Sequence, residues 1–187
     1  MKVIQLNTNE SELIGRAVKG NRSAQHVIYE THAPKMLSVC RYYIKDLQNA
    51  ESVMLNGFFK AFTNLKSFKH EGSFEGWLRR IMVRESISFL RSQKNVEFSV
   101  EDEKIPQHQT NELESKLGVV ELQQLIDELP EGYKMVFVMY AIEGYKHSEI
   151  AELLNISEGT SKSQLFKSRQ MLQKKVKELN KNSYGTN

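Results

Sequence analysis

The stretch from His147 to Lys175 constrains this chain more than any other. It opens with His147-Ser148-Glu149-Ile150-Ala151-Glu152-Leu153-Leu154 and turns at Asn155-Ile156-Ser157. It then continues as a polar, basic run from Glu158. Ile150, Ala151, Leu153 and Leu154 have the spacing of one helical face. Asn155 is the non-glycine residue type that best tolerates the left-handed conformation of a tight turn. Ser157 is a good N-cap, because its hydroxyl accepts from a free backbone N–H of the next turn. In the second helix Leu165 and Leu172 share a face, and Thr160, Ser161, Lys162, Ser163, Lys167 and Arg169 fall largely elsewhere. The pattern predicts a helix-turn-helix whose second helix suits the major groove. Hydroxyls and amides reach base edges there, and cations hold phosphates. Candidate contacts are Ser157, Glu158, Thr160, Ser161, Lys162, Ser163, Gln164, Lys167 and Arg169. The competing reading is a plain helical hairpin with a solvated basic face.

The rest of the chain is also helical in rhythm. Leu13, Ile14, Ala17 and Val18 mark a first short helix, with Ser11 or Asn9 as cap and Gly20 as its end. A second begins at Ala24, is interrupted or restarted at Pro34, and continues its stripe through Met36, Val39, Tyr43, Ile44 and Leu47. Val53, Met54, Phe58, Ala61 and Phe62 form another stripe. Phe68 to Ser73 breaks the pattern, which resumes from Phe74 through Trp77, Leu78, Ile81 and Met82 to Arg91. Past the acidic stretch, Val120, Leu122, Leu125, Ile126 and Leu129 read as one face. Pro130 opens the next helix, and Gly144 closes it. The tail from Lys181 is expected to fray. No segment shows sustained alternation of β-branched residues, so no sheet is expected.

Between Gln93 and Ser115 apolar residues thin out, Pro106 appears, and acidic residues outweigh basic ones. Such a stretch is a flexible acidic linker, and its length argues for a domain boundary. The expected fold is all-α: two small helical domains, 1–95 and 117–187, joined by a flexible acidic linker, 96–116.

Composition excludes several classes. A formal net charge of +3 over 187 residues is a weak global argument for nucleic acid, so the distribution of charge must carry it. Cys40 is the only cysteine, which rules out an internal disulfide. The start of the chain lacks the apolar core of a signal peptide, and no run is long enough to span a bilayer. A cytoplasmic protein with no membrane insertion is expected. His26, His32, Cys40, His70, His108 and His147 show no metal-ligand spacing, and there is no Gly-rich phosphate loop. No metal, cofactor or enzymatic activity is expected.

The first domain carries its own cluster. Lys66, Lys69, His70, Arg79, Arg80, Arg84 and Arg91 are interleaved with Phe68, Phe74 and Trp77. Cations follow the phosphates of an unpaired strand and rings receive its bases. Against this, Trp77 on its own is more readily a core residue.

These residues resemble a family. The run from Gly72-Ser73-Phe74-Glu75-Gly76-Trp77-Leu78 to Val83 is similar to region 2 of a bacterial RNA polymerase sigma factor of the extracytoplasmic-function (ECF) group. Ala50-Glu51 with Phe58-Phe59-Lys60-Ala61-Phe62 resembles that family's polymerase-docking helix. Leu129-Pro130-Glu131-Gly132-Tyr133, Glu143-Gly144-Tyr145, Glu149-Ile150-Ala151 and Ser157-Glu158-Gly159-Thr160 resemble region 4. The resemblance implies a factor that directs core RNA polymerase to promoters, initiating transcription by −35 recognition and −10 melting. It implies core polymerase, double-stranded and melted promoter DNA, and an anti-sigma factor as partners. It assigns −10 contacts to Lys66, Lys69, His70, Phe74, Trp77, Arg80 and Arg84, and polymerase contacts to Glu51, Ser52, Leu55, Asn56 and Phe59. Five residues depart from the pattern. Ser52, Leu55 and Asn56 stand where acidic and amide residues are usual, Arg84 where Asn often stands, and Lys146 where a Ser cap is frequent. The rival function is a free-standing helix-turn-helix regulator that never docks on polymerase. Its first domain would offer a ligand pocket or a dimer face instead of a basic, aromatic loop.

Overall fold

The computed structural model describes residues 6–93 and 118–184. Eight α-helices are described, and no strand occurs among the described residues. The chain separates into two units, Met1–Phe89 and Leu90–Asn187. The stretch expected to be the linker, 96–116, lies outside the described residues.

In the first unit α1 spans Leu6–Val18, α2 Arg22–Tyr43 and α3 Leu47–Thr63; α4, Phe74–Ser92, lies in it up to Phe89. Ser11 and Asn9 do not cap α1; the helix already includes both. Gly20, at φ +81°, ends it as expected. The Asn21 side chain then caps α2 by accepting from Ala24 N–H at 2.9 Å.

Pro34 does not interrupt α2, which runs through it. Ile28, His32, Met36, Val39, Cys40 and Tyr43 are buried on both sides of the proline. Packing of that stripe outweighs the missing N–H, because Pro34 and Glu30 both face solvent, where water can serve the orphan carbonyl. The stripe ends earlier than expected, however. Ile44 terminates α2, and Asp46 starts α3 by accepting from Asn49 N–H at 2.8 Å. Leu47 therefore opens α3, 53% exposed, and does not extend α2. Apolar spacing runs on across this break, which the capping chemistry of Asp46 sets.

α3 and α4 approach closely at Gly57, where a Cβ would come 2.3 Å from Met82 Sδ. Val53, Met54, Phe58 and Ala61 of α3 are buried, and the opposite side of the helix lies outside.

In the second unit α5 spans Val119–Asp127, α6 Glu131–Phe137, α7 His147–Leu154 and α8 Glu158–Tyr184. The face expected for α5 is only partly right. Leu125, Ile126 and Leu129 are buried, but Val120 is 71% and Leu122 44% exposed. Leu125 and Leu129 cluster with Leu172, supported by Phe137, Met171 and Val176. Lys175 pairs with Glu128, tying α8 to the end of α5. Lys134 is buried in α6 with its ammonium 2.9 Å from Glu131 Oε1. α6 widens into a π-turn, Val138–Ile142, where Glu143 N–H reaches Val138 O at 3.0 Å. This turn puts Met139 inside and Tyr140 at the surface. Gly144, at φ +76°, closes it. The described helix α8 continues to Tyr184, so Lys181–Tyr184 are helical where fraying was expected.

Candidate nucleic-acid interfaces

Ser73 fixes the start of α4 by accepting from Gly76 N–H at 3.1 Å. The loop before it turns through two left-handed residues, His70 at φ +59° and Gly72 at φ +114°. The turn and the first two turns of α4 enclose a cleft of about 290 Å³, lined by Phe68, Lys69, Gly72, Trp77 and Arg80 among others. Trp77 is half-buried at its wall, its ring 5.6 Å from both Phe68 and Phe74. His70 lies against Phe68 at 4.7 Å.

Phe74 departs from expectation. It is 2% exposed, with His32 and Phe68 at its edges and Trp77 stacked on it. A ring so enclosed cannot receive a base; it supports the wall of the cleft. Lys66 sits on the short 3-10 turn Leu65–Ser67, exposed and outside the cleft lining. Arg84 lies one helical turn beyond Arg80, and both are exposed. Phe68, which was not assigned a contact, completes the aromatic wall.

In the second unit the turn forms as its residue types require. Asn155 adopts φ +55°, ψ +50°, and Ser157 Oγ accepts from Thr160 N–H at 2.9 Å. Lys146 offers no capping hydroxyl to α7. The other half of the capping exchange remains: Lys146 N–H donates to Glu149 Oε2 at 2.8 Å.

The polar side chains of α8 divide between a packed side and an outer side. Ser161, Gln164, Leu165, Ser168 and Leu172 are all buried, at the i, i+3, i+4, i+7, i+11 spacing of one packed stripe. Ser161 and Gln164, expected to meet bases, are inside this packing and reach no base edge. Ser163 is buried too, its hydroxyl donating to Thr160 O at 3.0 Å. Helix geometry puts Lys162, Phe166, Lys167 and Gln170 on the side away from the stripe. Phe166 and Gln170, not among the candidate contacts, each lie one turn along from Lys162 or Phe166 and share that side. Ser157, Glu158 and Lys162 are exposed; Thr160, Lys167 and Arg169 are half-buried. Glu158 and Lys162 stand 3.9 Å apart, both 54% exposed, a pairing of little strength in water.

Beside α8 stands a second cluster. His147 stacks on Tyr140 at 4.6 Å and 22°. The Arg169 guanidinium lies over the Tyr140 ring at 5.7 Å. His147 Nδ1 is 2.8 Å from Ser161 Oγ, linking α7 to α8. Burial pushes the imidazole below its ordinary value, and Lys162 and Arg169 push the same way against an opposing pull from Glu158.

On α3 the side away from the core presents Glu51, Ser52, Leu55, Asn56 and Phe59 together. Leu55 is 53% and Phe59 72% exposed, an i, i+4 apolar pair in water.

With this geometry established, comparison with known proteins gives the family. The sigma-70 region 2 model matches residues 28–96 and the sigma-70 region 4 model residues 120–172. The chain belongs to the sigma-70 family of RNA polymerase sigma factors. Its full-length relatives place it in the extracytoplasmic-function group. It is 28% identical over 182 residues to the ECF RNA polymerase sigma factor SigW of Bacillus subtilis, covering 89% of this chain and 96% of the relative. It is 25% identical over 183 residues to the ECF RNA polymerase sigma-E factor of Haemophilus influenzae, covering 91% and 96%. In fold it is similar to the sigma factor RpoE of Bartonella quintana, solved in complex with the anti-sigma factor NepR. That match has TM-score 0.53 and 18% identity, over 81% of this chain and 96% of the other. CnrH, solved with the cytosolic domain of CnrY, matches at TM-score 0.51 and 18% identity, over 90% and 97%.

Proposed function

We propose that the protein directs core RNA polymerase to promoters through two DNA contacts made by separate units. The N-terminal unit docks on polymerase with the Leu55–Phe59 face of α3 and holds unpaired −10 bases in the cleft of Phe68, Trp77 and Arg80, within a domain proposed to span 1–95. The C-terminal unit sets α8 in the −35 major groove, with Lys162, Phe166, Lys167 and Gln170 toward the DNA, within a domain proposed to span 117–187. Ser157, Glu158, Thr160 and Arg169 flank that surface. The segment 96–116 joins the two. The factor carries out no chemistry itself; the polymerase does.

The observation that carries this reading is the cleft. Aromatic walls and cations beside a helix N-terminus suit single-stranded nucleic acid and give nothing to a free-standing regulator, which would need an effector pocket or a dimer face. Capture by an anti-sigma factor belongs to the same proposal, as does action in the cytoplasm. Among the described residues no helix is long and apolar enough to cross a membrane.

Co-purification with core polymerase tests the reading. The wild-type chain is retained by core enzyme, and the double variant Leu55→Glu/Phe59→Glu is not, while its binding to duplex DNA persists. A wild-type chain that binds duplex but never core polymerase would establish the free-standing regulator instead.

A further inference from the structure

We propose that His147 is a proton-linked phosphate contact: its imidazole takes up a proton as duplex DNA reaches the Lys162 and Arg169 edge of α8, so that DNA binding tightens as the medium acidifies. The inference rests on reading α8 as a DNA-binding helix and adds a regulation of that same surface.

The ring is held in place before any ligand arrives. Its face is stacked on Tyr140, and Nδ1 is engaged with Ser161 Oγ, which is itself fully buried. That leaves Nε2 for an outside partner, and no partner for it occurs among the described residues. His147 is the first residue of α7, where backbone N–H groups and the helix dipole favour an anion close by.

The charged groups facing the ring decide when it binds a proton. From α8 these are Lys162, Arg169 and Glu158; from the π-turn the facing group is Tyr140. Partial burial and then the two cations oppose a third positive charge, and Glu158 offsets them only in part, being shared with Lys162. In the free protein the ring therefore binds a proton less readily than an ordinary imidazole. Ser161 serves either state, donating to neutral Nδ1 or accepting from its proton. A phosphate arriving at this edge reverses the balance: it neutralises Lys162 and Arg169 and accepts from Nε2–H. The ring then binds a proton more readily in the complex than in the free chain. By linkage the DNA complex gains affinity as pH falls toward the free chain's protonation range. Each unit by which DNA raises the protonation midpoint gives about a tenfold gain in affinity below both midpoints. At acid pH one more phosphate is neutralised, so the salt slope steepens by about one.

The test uses the full chain and a short fluorescent duplex, with anisotropy titrations between about pH 5.5 and 8. His147→Gln keeps a polar group for Ser161 and cannot titrate. Wild type is expected to tighten severalfold on acidification with a steeper salt slope, and His147→Gln to lose that part of the pH dependence. A second measurement needs no variant: the His147 ring resonances of the wild-type chain should titrate at higher pH with duplex bound than without. Identical pH profiles for wild type and His147→Gln, or a ring midpoint that duplex does not move, would overturn the inference and leave the DNA-binding reading standing. No duplex binding at any pH in low salt would overturn both.

Discussion

Lys60 and Glu85 close an ion pair between α3 and α4 at 2.7 Å, which commits to a lysine the carboxylate next in sequence to Arg84. Glu75 is likewise taken, by Lys35 at 2.7 Å. Arg80 and Arg84 stand at i, i+4 on α4, facing solvent, and neither forms an ion pair among the described residues. Like charges at that spacing cost a helix a few tenths of a kcal/mol, roughly, and an anionic partner relieves the cost.

Arg84→Ala is therefore expected to slow open-complex formation and to leave −35 binding by the C-terminal unit unchanged. Arg84→Asn installs the residue frequent in the family and is expected to shift −10 preference without abolishing initiation. Transcription from a panel of −10 variants reads both effects. Unaltered rate and preference for both substitutions would remove Arg84 from the interface.

Phe74 and Trp77 share a stack but are expected to fail differently. Phe74→Ala removes a ring that is 2% exposed and should destabilise the N-terminal unit by about 3–5 kcal/mol. Trp77→Ala removes a half-buried wall of the cleft and should weaken single-strand binding by about 1–3 kcal/mol. Denaturant melts and single-strand binding curves separate the two. Equal losses of stability with no loss of strand affinity for Trp77→Ala would make Trp77 a core residue only.

Asn155 holds the turn of the helix-turn-helix at φ +55°. Asn155→Gly should be tolerated, and Asn155→Val should cost about 1–2 kcal/mol, because a branched Cβ crowds the backbone there. Thermal melts of the two variants check the order; the reverse order would show that the turn relaxes to another conformation.

His32 makes the N-terminal unit sensitive to acid. Burial holds its imidazole below the ordinary value, and the nearby Glu10 and Glu75 pull upward without restoring it. The unfolded chain, protonating near the ordinary value of about 6.5, binds the proton before the folded chain does. Stability is full above that value and is lost as pH falls from it to the folded midpoint. Trp77, the single tryptophan, reports on this unit. Its unfolding temperature should drop between about pH 7 and 5, and His32→Gln should flatten the drop. An unchanged slope in the variant would assign the effect to another group.

What could be read from sequence alone follows from where the deciding physics is local. The recognition turn was legible because Asn155 and Ser157 carry their conformations in their own chemistry. The packed side of α8 was not. Its stripe has the right spacing, but Ser161, Gln164 and Ser168 are polar, and residue type suggested solvent where the period indicates packing. The break between α2 and α3 was hidden because Ile44 and Leu47 prolong the apolar rhythm across a cap set by Asp46. Pro34 misled in the opposite direction, since tertiary burial on both sides overrides its local cost. The cleft was legible as a cluster of cations and rings, and only the fold distinguishes Phe74 beneath it from Phe68 and Trp77 at its wall.

Run-off transcription with purified core RNA polymerase on the genomic DNA of the source organism tests the central claim most directly. Transcripts should start at discrete sites only when the chain is added. Trp77→Ala should reduce those starts by impairing melting, and Lys162→Ala/Lys167→Ala should reduce them by weakening upstream duplex contact, lowering the salt slope by up to about two. The same start sites and yields with and without the chain would contradict the account.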